Sequence, residues 1–283
     1  MQMLWSLFLV LLLQTSVDSK ADQITPVAIK NYTGEAMEPF VSADGRYLFF
    51  NTRNDPGFNT NILFAERQGN AYVYRGELPG SVSTELDGTP TMSASGKFCF
   101  VSIREYRKTL VTVFCGMFDG TRLNNVKSQP ALAGAKMGRL TFDVDVSADG
   151  NTLIFAEGTF SGGQAPDVAD LHWARWSPDG FKRDPASDRM LAKVNTPDLE
   201  YAPALSANGL ELYFTRMTGF WIFRSTRIFV ARRSAIDLPF EEPIELKSIE
   251  GFVEATTIAP DGSLIFHKRV NDQFKLWRWK SQG

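Results

Sequence analysis

The 283-residue sequence contains only two cysteines and two histidines. Cys99 and Cys115 form no C-x2-C pair, which excludes a zinc site built on cysteine. His172 and His267 stand at no spacing typical of a metal site or a catalytic triad. Acidic side chains could hold Ca²⁺, but the sequence has no defined calcium loop. We therefore expect neither a metal nor another cofactor.

An excess of charge of either sign is also missing. The chain has 30 basic and 32 acidic residues, a formal net charge of −2, and the two signs are closely interspersed. Nucleic-acid binding depends on a concentrated basic surface that neutralises phosphates. The phosphate-loop, dinucleotide and Gly-x-Ser-x-Gly fingerprints are absent as well. The sequence therefore contains no feature that favours binding of nucleic acids or nucleotides.

The sequence has one long hydrophobic run, which extends from Leu4 to Leu13 and is interrupted only by Ser6. Such a run is too short for a membrane-spanning helix but is typical of the core of a signal peptide. Ser19-Lys20-Ala21 has the small-x-small pattern of a cleavage site. We expect residues 1–21 to be a signal peptide and the mature chain, without a membrane span, to be periplasmic or extracellular. A buried N-terminal element is the alternative, since the first three residues carry no positive charge.

The two cysteines lie on predicted neighbouring strands, 97–103 and 110–116, joined by a polar turn. Antiparallel pairing about that turn places Cys99 and Cys115 nearly opposite each other. In an oxidising compartment they could form a disulfide, and closing a loop of this size contributes about 3 kcal/mol in the chain-entropy model. Two buried free thiols are the alternative.

Five copies of one pattern run through the chain. Each has a short apolar strand, a turn of the Ser-Ala-Asp-Gly type and an aromatic or β-branched strand, at intervals of roughly fifty residues, the spacing of propeller blades. The copies span residues 39–50, 90–101, 144–155, 203–214 and 256–266.

Further strands complete each unit. Third strands are predicted at 61–66, 110–115, 170–175, 227–232 and 275–279, and more polar outer strands follow, as at 243–247. The last unit lacks an outer strand, whereas residues 24–30 have strand character and no partner. The sequence thus predicts an all-β fold, a five-bladed β-propeller of four-stranded antiparallel blades closed by an N-terminal strand, with residues 22–283 as a single domain.

The pattern P-x-[VL]-S-x-[DN]-G-x-x-[LI]-[YF]-F resembles the WD40-like repeat of TolB-type propellers. Stretches such as Glu200-Tyr201-Ala202-Pro203 and Tyr213-Phe214-Thr215-Arg216 are similar to an exported bacterial subset without an established activity. The resemblance implies the propeller fold and export. It leaves function open, because propellers of this group include a periplasmic protein-interaction scaffold, polysaccharide lyases and glycosidases.

Candidate site residues follow from the predicted topology. Residues that begin first strands and residues that end second strands share one face, called here the top face. The first set supplies carboxylates, the second supplies cations, and two aromatic residues lie nearby. The candidates are Glu38, Asp87, Asp143, Asp145, Glu200 and Glu254, then Arg53, Arg104, Arg216, His267 and Lys268, and finally Tyr201 and Trp221.

This face suggests three functions. The first is binding of a polar small molecule, with glycans the foremost class, or of an envelope protein. The second is glycoside hydrolysis or lysis by paired carboxylates of the ring. In the third, the acids only accept backbone hydrogen bonds or pair with arginines, and the protein is a structural scaffold.

Overall fold

The structure is a computed structural model that describes residues 22–54, 59–163, 165–219 and 224–281. Five antiparallel blades of four strands form a ring, and a short parallel strand extends the first blade. The arrangement confirms the predicted five-bladed β-propeller. In chain order the strands are β1 (Gln23–Pro26), β2 (Ile29–Lys30), β3 (Met37–Val41), β4 (Tyr47–Asn51), β5 (Ile62–Gln68), β6 (Ala71–Glu77), β7 (Asp87–Met92), β8 (Lys97–Ser102), β9 (Val113–Phe118), β10 (Leu123–Ser128), β11 (Arg139–Val146), β12 (Thr152–Thr159), β13 (Val168–Ser177), β14 (Gly180–Arg183), β15 (Leu199–Leu205), β16 (Glu211–Thr218), β17 (Ser225–Arg232), β18 (Ile244–Glu245), β19 (Val253–Ile258), β20 (Leu264–Val270) and β21 (Gln273–Lys280).

Each blade runs outward from the central axis in chain order. The innermost strands are β3, β7, β11, β15 and β19, and each contacts the innermost strands of both neighbouring blades. Short helical segments occur between strands: α1 (Tyr106–Thr109), α2 (Ser187–Met190) and a 3-10 turn (Pro130–Leu132). No helix in the described ranges is long and apolar enough to cross a membrane.

The N-terminal segment closes the ring. β1 pairs antiparallel with β21 and supplies the outer strand that the fifth blade lacks. The prediction of one strand over residues 24–30 was wrong about its length, because the chain leaves blade five after Pro26. β2 then runs parallel to β6 at the outer edge of the first blade. One short segment therefore ties the last blade to the first.

The core is divided into five hydrophobic clusters, one at each boundary between blades. Side chains of the second strands alternate between two boundaries. Phe49 packs towards blade two with Phe98, whereas Leu48 and Phe50 pack towards blade five with Ile265. Because both faces of these strands are buried, their sequences are continuous apolar runs without polar alternation. At the boundary of blades two and three, Cys99 and Cys115 are paired opposite each other and joined as a disulfide.

A β-bulge interrupts the innermost strand of every blade where it faces the axis. In four blades a residue at this bulge has a left-handed backbone: Glu38, Thr89, Ala202 and Ala255, with φ of 50°, 49°, 50° and 53°. This conformation costs a non-glycine residue about 1 kcal/mol.

The preceding blade stabilises each of these strained residues. The backbone N–H of Thr89 donates to Asn51 Oδ1 at 3.2 Å, and that of Ala255 donates to Thr215 Oγ1 at 3.1 Å. The N–H of Glu38 donates to His267 Nδ1 at 3.1 Å, and that of Ala202 to Asp143 Oδ2 at 2.9 Å. The strained residues are thus where consecutive blades join around the axis.

Candidate functional site: a funnel on the top face

A cavity of about 710 Å³ lies on the axis at the top face. Its wall consists of residues at the starts of innermost strands, at the ends of second strands and in the adjoining loops. This volume is in the range of small-molecule binding sites. We call this cavity the funnel. Among the sequence-predicted candidates it brings together Glu38, Arg53, Asp143, Tyr201, Glu254 and His267.

Three carboxylates line the funnel: Glu38 from blade one, Asp143 from blade three and Glu254 from blade five. Glu38 accepts hydrogen bonds from Asn54 Nδ2 at 2.7 Å and from the Thr89 backbone N–H at 3.1 Å. Asp143, which is 5% exposed, accepts one from the Ala202 N–H. No arginine or lysine of the described residues forms an ion pair with any of the three. The funnel therefore holds acidic groups that the fold itself leaves without a strong counter-charge.

The protonation of these acids follows from their surroundings. Burial raises the pKa of Asp143 well above its usual range, and the carboxylates of Glu38 and Glu254 raise it further. Burial also raises the pKa of Glu38, although the hydrogen bonds from the Thr89 N–H and from Asn54 act in the opposite direction. A buried carboxyl without a cation takes up a proton more readily because its charged form is poorly solvated. Glu38 and Asp143 are therefore suited to donate as well as accept hydrogen bonds.

Glu254 has two hydrogen-bonding neighbours of its own. The Tyr201 hydroxyl donates to Glu254 Oε1, and His267 Nε2 lies 3.1 Å from Glu254 Oε2. Since His267 Nδ1 accepts the Glu38 N–H, the ring carries its proton on Nε2 and donates it to Glu254. Burial raises the pKa of Tyr201 well above its usual range, and the charge of Glu254 adds to that effect. Glu254 is thus held as an acceptor between two donors.

His267 also occupies a repeat position with a structural task. Asn51 and Thr215 directly follow the last aromatic residue of the repeat on the second strands of blades one and four, and both accept the N–H of the following blade's strained residue. His267 has the same position on the second strand of blade five and accepts the N–H of Glu38 in the same way. The side chain is 1% exposed. It therefore joins the last blade to the first and at the same time orients Glu254.

Two of the predicted ligand-binding acids lie outside the funnel and serve the fold. Asp87 is fully buried and pairs with Arg104 at 2.5 Å. Glu200 is fully buried and pairs with Arg216 at 2.6 Å. Both acids stand three positions before the repeat proline, whereas Glu38 stands one position before it. The β-bulge between these two positions directs Asp87 and Glu200 into the blade and Glu38 towards the axis.

The remaining candidates have other surroundings. Asp145 lies below the funnel and accepts hydrogen bonds from Thr91 Oγ1 at 2.8 Å and the Leu205 N–H at 2.7 Å, which links blades two, three and four. Burial raises its pKa to about 7. The Lys268 side chain is directed away from the funnel, over the ring of Trp277. Trp221 lies outside the described residues.

Several residues of the funnel were not singled out from the sequence. Phe142, Phe160, Phe252 and Phe274 form aromatic wall, and Arg224 and Arg269 add cations. Phe142 stands two positions before the repeat proline or its substitute, as Tyr201 and Glu254 do. The five repeat copies therefore indicated that Phe142 faces the funnel. Arg224 and Phe160 come from loops, where the repeat gives no guidance. Within the described part of the chain, no group of three or more His, Cys, Asp or Glu side chains is arranged to hold a metal ion.

The chain matches no protein-family profile and no curated protein. Solved structures do resemble it. A glycoside hydrolase superposes with a TM-score of 0.63 at 11% identity, over 94% of this chain and 92% of that one. A BT0996 RGII complex gives 0.58 at 11% identity, over 91% and 90%. TolB from Acinetobacter baumannii gives 0.47 at 14% identity over 88% of this chain, which spans 55% of the TolB length. The first two likenesses support the propeller fold and, at 11% identity, leave the activity open.

Proposed function

We propose that this propeller is an exported protein that binds a polar, hydroxyl-rich ligand of the carbohydrate class in the funnel. The observation that supports this most is the combination of three acids without a strong counter-charge and five aromatic side chains around one cavity of about 710 Å³. Carboxyl groups form hydrogen bonds with sugar hydroxyls, and aromatic rings cover the apolar faces of sugar rings. Export by the N-terminal segment belongs to the same proposal, and the disulfide Cys99–Cys115 is typical of exported proteins.

A glycan array probed with the purified mature protein tests the proposal. Glu38→Gln and Asp143→Asn should abolish or strongly weaken any specific signal, because each replaces a carboxyl of the funnel. Asp145→Asn is the matched control, since it changes a buried acid two residues from Asp143 but below the funnel. Unaltered binding by the funnel variants would contradict the proposal. A loss in the control alone would place the site elsewhere, and binding of an envelope protein without any glycan would favour the scaffold function.

Glycoside hydrolysis is the second candidate, favoured by the unequal states of the acids. Asp143 has a raised pKa, as a general acid requires, whereas Glu254 is held as an acceptor between Tyr201 and His267. Glycosidases use such a pair, one carboxyl as acid and the other as base or nucleophile. The solved structure that superposes with a TM-score of 0.63 is named a glycoside hydrolase, which agrees with this candidate. Release of reducing sugar by the wild type but not by Asp143→Asn would support hydrolysis; binding without turnover would exclude it for the sugars tested.

A further inference from the structure

Among the described residues, the arginines that line the funnel lie in one part of it. Arg53, Arg224 and Arg269 line it from blades one, four and five, which are adjacent in the ring. Apart from Thr89 and Asp143, the wall supplied by blades two and three is apolar, with Leu86, Val101, Ile103, Leu140, Phe142 and Phe160. We call the three arginines the arginine arc. A ligand that fills the funnel therefore meets a cationic side and an apolar side.

The arginine arc lies nearer to solvent than the acids. Arg224 and Arg269 are exposed and the Arg53 side chain is 31% exposed, whereas Asp143 is 5% exposed. A ligand entering from the top face passes the arginines before it reaches the carboxyls. The arc thus forms the mouth of the funnel and the acids form its floor.

Aromatic rings position two of these arginines. The Arg269 guanidinium lies 4.8 Å from the centre of the Phe252 ring, and that of Arg53 lies 5.6 Å from the centre of the Phe274 ring. The two rings contact each other, with centroids 6.2 Å apart. Packing against a ring restricts a guanidinium while leaving N–H groups available for a planar anion such as a carboxylate.

Arg224 and Arg269 have no carboxylate partner among the described residues, whereas four arginines of blades two, three and four do. Arg104 pairs with Asp87, Arg216 with Glu200, and Arg139 and Arg183 both pair with Glu157. The fold thus neutralises these four arginines and leaves two of the three at the mouth able to bind an anion.

We propose that the ligand is an acidic saccharide, a sugar that carries a carboxylate or sulfate group. Its anionic group is bound by Arg224 and Arg269, its hydroxyls by Glu38 and Asp143, and its apolar face by the wall of blades two and three. A purely neutral sugar would leave the arginine arc unused, and a cationic ligand would be repelled by it. This inference rests on the proposed function and adds the chemical class of the ligand.

The experiment compares acidic glycans with their neutral counterparts. Carboxylated and sulfated oligosaccharides are each paired with the uncharged oligosaccharide of the same linkage and length, and binding to the wild type, Arg224→Gln, Arg269→Gln and Lys268→Gln is measured by titration calorimetry. Lys268→Gln is the matched control, because it removes one positive charge from the neighbouring residue whose side chain points away from the funnel.

We expect the wild type to prefer the acidic member of a pair by about tenfold or more, the range for a hydrogen bond between charged groups. Each arginine variant should lose most of that preference with little change for the neutral member, and Lys268→Gln should retain it. The two arms, carboxylate and sulfate, identify the anion. Equal binding within every pair, or a preference that survives in both arginine variants, would overturn this inference while leaving the proposed function standing. Absence of binding to all pairs would overturn both.

Discussion

Asp87 and Asp143 allow the same chemical change to be made in two opposite environments. Both lie on innermost strands and both are buried. At each position Asp→Asn removes one negative charge while the side chain keeps its size and shape. Asp87 accepts hydrogen bonds from the Ser83 N–H at 2.7 Å, the Ser83 hydroxyl at 2.8 Å and Arg104 at 2.5 Å. Among the described residues, Asp143 accepts one hydrogen bond, from the Ala202 N–H, and pairs with no cation.

The expected effects have opposite signs. Removing one member of a buried ion pair costs roughly 3–5 kcal/mol, and because the Arg104 side chain keeps 23% of its exposure, we expect about 2–3 kcal/mol of destabilisation for Asp87→Asn. Burial raises the pKa of Asp143, so its ionised form weakens the fold. Asp143→Asn should therefore stabilise the protein at neutral pH.

The pH dependence provides a second check on Asp143. A carboxyl with a raised pKa in the folded state contributes stability at acidic pH, and that contribution is lost as the pH rises from the unfolded value near 3.8 towards the folded one. The gain from Asp143→Asn should thus grow with pH over that interval and then level off. Urea denaturation of wild type and both variants between pH 4 and 8 measures this. Destabilisation of similar size by both substitutions would refute the division into funnel acids and blade acids.

Three further predictions concern the contacts between and within blades. His267→Leu leaves the Glu38 N–H without an acceptor, so we expect a loss of about 2 kcal/mol and faster amide exchange at Glu38. Since burial raises the pKa of Asp145 to about 7, its contribution to stability falls by up to about 4 kcal/mol as the pH rises from 4 to 7, and Asp145→Asn should remove that part of the profile. Replacing Cys99 and Cys115 together by alanine should cost about 3 kcal/mol, measured by denaturation without reductant.

Each of these predictions has a result that contradicts it. Unchanged exchange at Glu38 in His267→Leu would show that the N–H has another acceptor. A stability profile of Asp145→Asn identical to that of the wild type from pH 4 to 7 would show that Asp145 is ionised throughout. Equal stability of the double cysteine variant and the oxidised wild type would show that the disulfide is absent or contributes nothing.

The fold could be predicted from the sequence because the repeat determines it locally. Ser42, Asp44 and Gly45 form the first turn through side-chain and backbone hydrogen bonds, and Ser206, Asn208 and Gly209 repeat the arrangement in blade four. Each turn joins two strands of the same blade, so five turns imply five blades. The division of residues 24–30 between two blades was not predictable, since no local signal in such a short segment determines its partner.

The surroundings of the acids were harder to predict. In a regular strand, residues two apart lie on the same face, so positions three and one before the repeat proline would face the same way. The bulge inserts a residue between them and breaks this alternation. Asp87 therefore lies against Arg104, whereas Asp143 faces the axis. Arg224 gave no signal at all, because it follows a loop outside the repeat.

The strand that completes the fifth blade also limits the order in which the chain can fold. Gln23–Pro26 is made among the first described residues, yet its partner, Gln273–Lys280, is made among the last. Until Gln273–Lys280 is made, Gln23–Pro26 has no partner strand and the first blade is not joined to the fifth. An unpaired strand edge invites pairing with other chains, and contacts this distant in sequence form slowly. The incomplete ring is therefore the stage at which this protein is most exposed to aggregation, and a partner that covers this edge would act on folding yield rather than on final stability.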